Sequence, residues 1–113
     1  MASMKYVLLL PKNYNDGRNI PDSIIDAMCD EIMEIADGWT LAGTVVGAYR
    51  MKDGSKQKDL STVIWIGIDE SRIDTLKALV GIFARRLGQE SLYLERTGGT
   101  IEFIQPTPEE DTP

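Results

Sequence analysis

The feature that most constrains the fold of this chain is the almost unbroken apolar run Val63–Ile68, which reads Val-Ile-Trp-Ile-Gly-Ile. A strand that is apolar at every position normally has both faces covered, so the run predicts a central strand of a sheet. Asp69 and Glu70 interrupt it. Ser71, with Asp74 three residues later, resembles a capping box and predicts that a helix begins there.

The segment after Ser71 has the spacing of an amphipathic helix. Its apolar positions are Ile73, Leu76, Leu79, Val80, Phe83 and Leu87. Gly88 is expected to end the helix in the left-handed conformation, and Leu92–Leu94 then resumes as a strand. Residues 61–94 are therefore predicted to form a strand, a helix and a second strand.

The first half of the chain gives a related pattern. Lys5–Leu10 is apolar on both faces and predicts another central strand. Pro21–Ala36 carries apolar residues at helical spacing with acids opposite, which predicts an amphipathic surface helix closed by Gly38. Trp39–Met51 predicts a long strand, and the turn signal Lys52–Ser55 joins it to the central strand as a hairpin.

Glycines inside and after these strands add detail. Gly43 and Gly47 predict a bulge or a close approach within the long strand. The two-glycine turn Thr97–Thr100 joins the strand Ser91–Arg96 to a short last strand, Thr100–Ile104. The resulting order is that of a ferredoxin-like βαββαβ sandwich, class α+β, with an antiparallel sheet, both helices on one face and an extra C-terminal strand.

The domain organisation follows from length and composition. Residues 1–104 are predicted to form a single domain, and residues 105–113, which read Gln-Pro-Thr-Pro-Glu-Glu-Asp-Thr-Pro, are predicted to be a disordered acidic tail. The chain has 12 Lys and Arg against 18 Asp and Glu, a net charge of −6, which argues against nucleic-acid binding. We therefore expect no nucleic-acid partner.

Residue types exclude several kinds of site. The chain has no His and only one Cys, so no zinc set, disulfide or metal centre is expected, and we predict no cofactor. The first apolar stretch has only about six residues, too few for a signal peptide or a membrane span. We therefore expect a cytoplasmic protein without a membrane partner.

Trp65 is the main candidate for a functional surface. If Ile64, Ile66 and Ile68 face the helices, Trp65 faces the side of the sheet that has no helix. A large apolar side chain there favours a homo-oligomer, most simply a dimer, that packs sheet on sheet. The alternative is a small-molecule pocket that Trp65 lines together with Tyr49, Tyr93 or Glu95.

The helix end and the loops supply weaker candidates. Arg86 can bind an anion, but a cation in a last helical turn more often compensates the dipole. Gln89 is expected to satisfy helix-end carbonyls, with a binding role as the alternative. Cys29 is expected to be an inert buried thiol. Asp69 with Glu70, and the loop from Asn13 to Arg18, give no specific signature.

One segment resembles a known family. Arg86–Tyr93, together with Asp37–Thr40, Gly47–Arg50 and Asp53–Gly54, is similar to a family of small bacterial domains of unknown function. Members of that family carry an Arg-Phe-x-Gln-Glu-Ser-Val segment after their second helix, and Leu87 stands here in place of the Phe. The resemblance implies a ferredoxin-like fold and no particular activity.

Two functional hypotheses follow. The first is a non-enzymatic, oligomeric binding module that uses the helix-free sheet face for self-association or for a small ligand. The second is a small, cofactor-free, dimeric ferredoxin-like enzyme of the isomerase or oxygenase type, with Tyr or a carboxylate in its pocket. A cavity of a few hundred Å³ next to Trp65 that contains a carboxylate with a raised pKa favours the enzyme, and a flat, dry sheet interface favours the module.

Overall fold

The computed structural model describes residues 3–98 and 101–108. The order of elements along the chain is β1 (Ser3–Pro11), α1 (Asp22–Met33), β2 (Gly38–Arg50), β3 (Lys56–Asp69), a 3₁₀ turn (Glu70–Arg72), α2 (Ile73–Arg86), β4 (Leu92–Arg96) and β5 (Ile101–Ile104). The strands form one sheet in the order β2-β3-β1-β4-β5, and all neighbouring strands are antiparallel. The predicted α+β, ferredoxin-like arrangement is confirmed.

The core lies between the sheet and the two helices. Alternate residues of the strands, such as Leu8, Ile66 and Leu94, are fully buried on this side. From the helices, Ile32 and Phe83 fill the space above them. The 3.6-residue period of the helices and the two-residue period of the strands place these side chains in one layer.

The apolar run in β3 does form a central strand, between β2 and β1. Its register sets Trp65 opposite Val7 of β1 and Thr40 of β2, on the face away from the helices. In the single chain that face is only partly covered, because Val63 is buried whereas Trp65 is 43% exposed. The apolar run thus identified the strand's position, but the face away from the helices is open at Trp65.

The predicted capping box at Ser71 does not form. Asp69 caps the 3₁₀ turn instead, because its carboxylate accepts hydrogen bonds from the backbone N–H of Ser71, at 3.0 Å, and from the Ser71 hydroxyl. These bonds to the Ser71 side chain and backbone hold the pKa of Asp69 below its usual value. The α-helix proper then begins at Ile73. The first helix also differs slightly, since it ends at Met33 and not at Ala36.

The end of α2 agrees with the prediction. Gly88 has a φ of +64°, the left-handed conformation, and the backbone N–H of Gln89 donates to the Ala84 carbonyl at 2.9 Å. Gly88 itself donates to Arg85 at 3.1 Å, which completes a Schellman motif. The chain is therefore reversed sharply at the entry to β4.

The segment after β5 contacts α2. The backbone N–H of Thr107 donates to the carbonyl of Gly81 in α2, at 3.1 Å. A Cβ at position 81 would lie only 2.9 Å from Cγ2 of Thr107. Glycine suits this position in α2 because the segment after β5 passes close to the helix backbone. Residues 105–108 thus pass close to α2, residues 109–113 lie outside the described part of the chain, and the disordered tail stays a prediction.

Candidate functional site

The hairpin formed by β2 and β3 is longer than the strand beside it. β1 pairs with β3 only as far as Pro11, which lies opposite Ser61, while β2 and β3 continue to pair up to Arg50 and Lys56. We call residues 46–60, the part of the hairpin beyond the end of β1, the β2–β3 arm. Among the described strands, none pairs with the arm besides its own two, and at its base the backbone N–H of Lys12 donates to the Leu60 carbonyl at 3.0 Å.

The arm bends across the helix-free face of the sheet. The ring of Tyr49 in β2 packs edge-on against the ring of Phe103 in β5, with 6.4 Å between centroids. Because β2 and β5 are the opposite edge strands of the sheet, this contact means that the arm curls over the face between them. Phe103 in turn packs edge-on against Tyr93 of β4 at 5.6 Å.

A cavity of about 710 Å³ lies between the arm, the sheet and the end of α2. Its volume is in the range of sites that bind drug-sized or nucleoside-sized ligands. Aromatic rings, carboxylates, amides and basic side chains all contribute to the lining. Those used below are Asn15, Tyr49, Arg50, Lys52, Gln57, Asp59, Gln89, Glu90, Tyr93 and Phe103.

Gly47 allows Tyr49 to adopt its position. A Cβ at position 47 would lie 2.7 Å from the Tyr49 hydroxyl oxygen and 2.9 Å from Cζ of the ring. Any side chain at position 47 therefore displaces this ring. Burial, and secondly the negative charge of Asp59, raise the pKa of the Tyr49 phenol, so it remains protonated at neutral pH.

Tyr93 is held by an acidic neighbour on the same face of β4. Its hydroxyl donates a hydrogen bond of 2.8 Å to Oε1 of Glu95, two residues along the strand. This hydrogen bond is the main reason that the pKa of Tyr93 is raised to about 12, and burial adds to it. Because the phenol keeps its proton, Tyr93 does not act as a general base near neutral pH.

The rim of the cavity is fixed by amide side chains. Nε2 of Gln89 donates to the Leu87 carbonyl and to Oδ1 of Asn15, each at 3.2 Å. Nδ2 of Asn15 donates to the Gly88 carbonyl at 2.7 Å. These bonds join the loop after β1 to the end of α2, so Gln89 has the structural role expected from the sequence and also lines the cavity.

Charges of both signs line the cavity. Asp59 accepts a hydrogen bond of 2.9 Å from Nε2 of Gln57, and Glu90 also lines the cavity. Arg50 donates to the carbonyl of Gly54 at 3.2 Å, which holds its guanidinium near the tip of the arm together with Lys52. The cavity can therefore accommodate a ligand that carries both a cationic and an anionic group.

The structure brings together only some of the candidates predicted from the sequence. Tyr49, Tyr93 and Gln89 line the cavity. Glu95 is not a lining residue, but it accepts a hydrogen bond from the Tyr93 hydroxyl. Trp65 lies on the same face but outside the cavity lining, with the ammonium of Lys5 at 3.9 Å from its ring centroid.

Arg86 is also outside the cavity. It forms an ion pair of 2.6 Å with Glu31 of α1 on the helix side. Ligand binding by the residues that line the cavity is a proposal.

The remaining candidates have structural roles. Arg18 of the loop is paired with Asp16 at 2.7 Å, so this cation is already compensated. Cys29 is buried in the core, and burial raises the pKa of its thiol. In residues 3–98 and 101–108, no cluster of three or more metal-ligating side chains occurs, and no helix is long and apolar enough to cross a membrane.

Sequence reasoning missed Asp59, Phe103 and Asn15 as members of the site. Phe103 alternates with the partly buried Ile104, and this two-residue period could have placed it on the helix-free face beside Tyr93. Asp59 and Asn15 give no such signal, because they approach the cavity through the bending of the arm and the path of a loop. These features depend on contacts between residues distant in sequence.

Comparison with known proteins gives a match in structure only. No protein-family model matches the chain, and the search of curated proteins gave no match. The resemblance through the Gln-Glu-Ser segment therefore stays a prediction.

Two solved structures share the fold. A phage SAM lyase in complex with S-methyl-5′-thioadenosine has a TM-score of 0.69 and 14% identity, with 96% of this chain and 93% of that chain covered. The same kind of enzyme in its apo state has a TM-score of 0.65 and 15% identity, with 95% of this chain and 92% of that chain covered. The likeness extends over nearly the whole of both chains, and at this identity it shows a common fold.

Proposed function

We propose that the protein is a small enzyme that binds S-adenosylmethionine in the cavity beneath the β2–β3 arm and cleaves it without a cofactor. The observation that carries the proposal is the cavity itself, about 710 Å³ in volume, on a fold that is shared over 96% of the chain with a lyase of this substrate. The proposal keeps the small, cofactor-free enzyme of the second sequence hypothesis. It differs in the reaction, which is that of a lyase and not of an isomerase or oxygenase.

The lining of the cavity suits the parts of this ligand. Tyr49 and Phe103 offer aromatic surfaces for the adenine ring. The carboxylates of Asp59 and Glu90 attract the positively charged ammonium group, and Arg50 with Lys52 attracts the ligand carboxylate.

The cleavage needs little chemistry from the protein. The carboxylate oxygen of S-adenosylmethionine attacks the γ-carbon of its own amino-acid chain, a C–O bond forms, and the bond from that carbon to sulfur breaks. The bonding electrons pass to sulfur, which becomes the neutral thioether of S-methyl-5′-thioadenosine, and the other product is homoserine lactone. No base is required, which suits a chain that has no His. The contribution of the protein is to hold the reacting atoms in line.

The test is product formation from S-adenosylmethionine. We expect the purified protein to release S-methyl-5′-thioadenosine, detected by chromatography, and Tyr49→Ala to reduce the rate because it opens the arm. Lys12→Ala, outside the lining residues, is the control and should leave the rate unchanged. Binding without product formation would favour a binding module, and the absence of both would overturn the proposal.

Self-association is a second part of the proposal, retained from the sequence. It is supported by exposed apolar side chains on the hairpin and the helix-free face, namely Leu41, Val45, Val46, Leu60 and Trp65. Patches of this kind on soluble proteins commonly mark contacts with other chains. We expect a homo-oligomer by light scattering at micromolar concentration and dissociation by Trp65→Glu. A monomeric wild-type protein would contradict it.

The single domain 1–104 and the cytoplasmic location, both expected from the sequence, complete the proposal. The domain limits can be checked by limited proteolysis, in which cleavage is expected beyond residue 108, past the contact of Thr107 with α2, before it occurs within residues 1–104. Early cleavage inside the β2–β3 arm would instead show that the arm is the least stable segment.

A further inference from the structure

The pair formed by Tyr93 and Glu95 has a property that the proposed reaction does not explain. The phenol proton of Tyr93 is committed to Oε1 of Glu95 at 2.8 Å. A hydroxyl has one donor and two acceptor positions. Toward any ligand in the cavity, Tyr93 therefore presents an oxygen that accepts hydrogen bonds and does not donate them.

The charge of Glu95 adds to this effect. Among the residues that the structure describes, the ion pairs are Arg18 with Asp16, Lys77 with Glu102 and Arg86 with Glu31, and none of them includes Glu95. The side chains of Tyr93 and Glu95 are both partly buried, so solvent screens the charge incompletely. Within the described part of the chain, the carboxylate that accepts the phenol proton therefore has no ion-pair partner.

The ring of Tyr93 is also fixed in orientation. Phe103 packs edge-on against it, with an interplanar angle of 83° and 5.6 Å between centroids. The phenol is therefore held from one side by Phe103 and at its hydroxyl by Glu95. Such a group is pre-organised and loses little conformational entropy when a ligand binds.

We infer that Tyr93 and Glu95 together select a positively charged group of the ligand over a neutral group of the same shape. The electron-rich phenol and its ring attract the cation, and the carboxylate behind it supplies the compensating charge. Within the proposed function, on which this inference rests, that group is the sulfonium of S-adenosylmethionine. Glu95 is then a positioning residue, because it acts through Tyr93.

The test compares S-adenosylmethionine with S-adenosylhomocysteine, which has a neutral sulfur and is otherwise almost the same molecule. By titration calorimetry, the wild-type protein should bind the sulfonium compound about tenfold more tightly, a ratio between those expected for an exposed and for a fully desolvated cation–π contact. Glu95→Gln keeps an acceptor oxygen for the Tyr93 hydroxyl but removes the charge, so the ratio should fall toward one. Tyr93→Phe should have the same effect.

A spectroscopic readout separates this role from a merely structural one. The ultraviolet absorbance of tyrosinate gives the titration of Tyr93 as the difference between the wild-type protein and Tyr93→Phe. In Glu95→Gln the pKa of Tyr93 should fall from about 12 toward its ordinary value of 10.0. An unchanged titration would show that the carboxylate does not act on the phenol and would overturn the inference.

The outcomes distinguish this inference from the proposed function. Equal wild-type affinity for both compounds overturns the inference and leaves the proposed function standing. Binding of neither compound overturns the proposed function. In that case trimethylsulfonium, a bare cation of the same kind, decides the inference: it should shift the nuclear magnetic resonance signals of the Tyr93 ring in the wild-type protein and not in Glu95→Gln. No shift in the wild-type protein would overturn it.

Discussion

The two faces of the sheet have the same backbone and very different surroundings. On the face toward the helices, Ile64, Ile66 and Ile68 of β3 are fully buried. On the other face, Trp65 of the same strand is 43% exposed, and the cavity begins a few residues before it, at Ser61. Successive residues of one strand thus belong to a dry core and to an open surface.

This difference assigns separate tasks to the two faces. The helix-covered face consists almost entirely of aliphatic side chains in close packing, which stabilises the fold. The open face mixes rings, carboxylates and amides, and its shape depends on a hairpin arm that bends over it. A substitution on the first face should therefore change stability, and one on the second should change binding.

The largest effect is expected at the centre of the core. Ile66→Ala removes a fully buried side chain, and we expect a loss of about 2 to 5 kcal/mol in the free energy of unfolding, measured with denaturant. The exposed Thr40, on the open face of the neighbouring strand, is the matched control, and Thr40→Ala should cost less than about 1 kcal/mol. Similar losses in both variants would break the comparison.

Gln89 lies at the boundary between the two regions. It bonds to the end of α2 and to Asn15, and it also lines the cavity. Gln89→Ala should lower stability by about 1 to 2 kcal/mol in denaturant unfolding, since partly buried polar groups lose their partner. If stability stays the same while binding of S-methyl-5′-thioadenosine is lost, Gln89 belongs to the site and not to the scaffold.

Gly47→Ala tests the open face alone. The new Cβ would meet the tip of the Tyr49 side chain, which can swing away, so stability should change by less than about 1 kcal/mol. Binding of S-methyl-5′-thioadenosine, measured by calorimetry, should weaken by about tenfold because the arm loses its contact with Phe103.

Gly67→Ala is the matched control for that variant. Gly67 lies on the same face, and a Cβ there meets no atom within 4 Å. It should leave both stability and binding unchanged. Equal effects of the two glycine variants would show that the position of Tyr49 does not depend on the space at Gly47.

The smallest effect is expected at the cap of the turn before α2. Because the folded pKa of Asp69 is lowered by its bonds to Ser71, the ionised cap stabilises the fold above the ordinary value of 3.8. That stabilisation is lost as the pH falls from 3.8 through the lowered pKa. Asp69→Asn should therefore flatten the dependence of melting temperature on pH in this acidic range. An unchanged profile would show that the cap contributes nothing measurable.

Some features of the molecule were predictable from the sequence because they depend on neighbours along the chain. The apolar runs identified β1 and β3 as the central strands, and the two-residue period placed Trp65 away from the helices. The left-handed turn at Gly88 follows from one residue type. Of the site, Tyr49, Tyr93, Glu95 and Gln89 were candidates by residue type and strand face.

Other features were decided only by the tertiary structure. The contact of Tyr49 with Phe103 joins the two opposite edges of the sheet, and the contact of Thr107 with Gly81 joins the last segment to α2. Neither has a local pattern, since each depends on how far the sheet twists and on where a long hairpin bends. The sequence by itself determined which residues alternate between the two faces, whereas the cavity arose from the bending of the β2–β3 arm, because packing between distant segments fixes that bend.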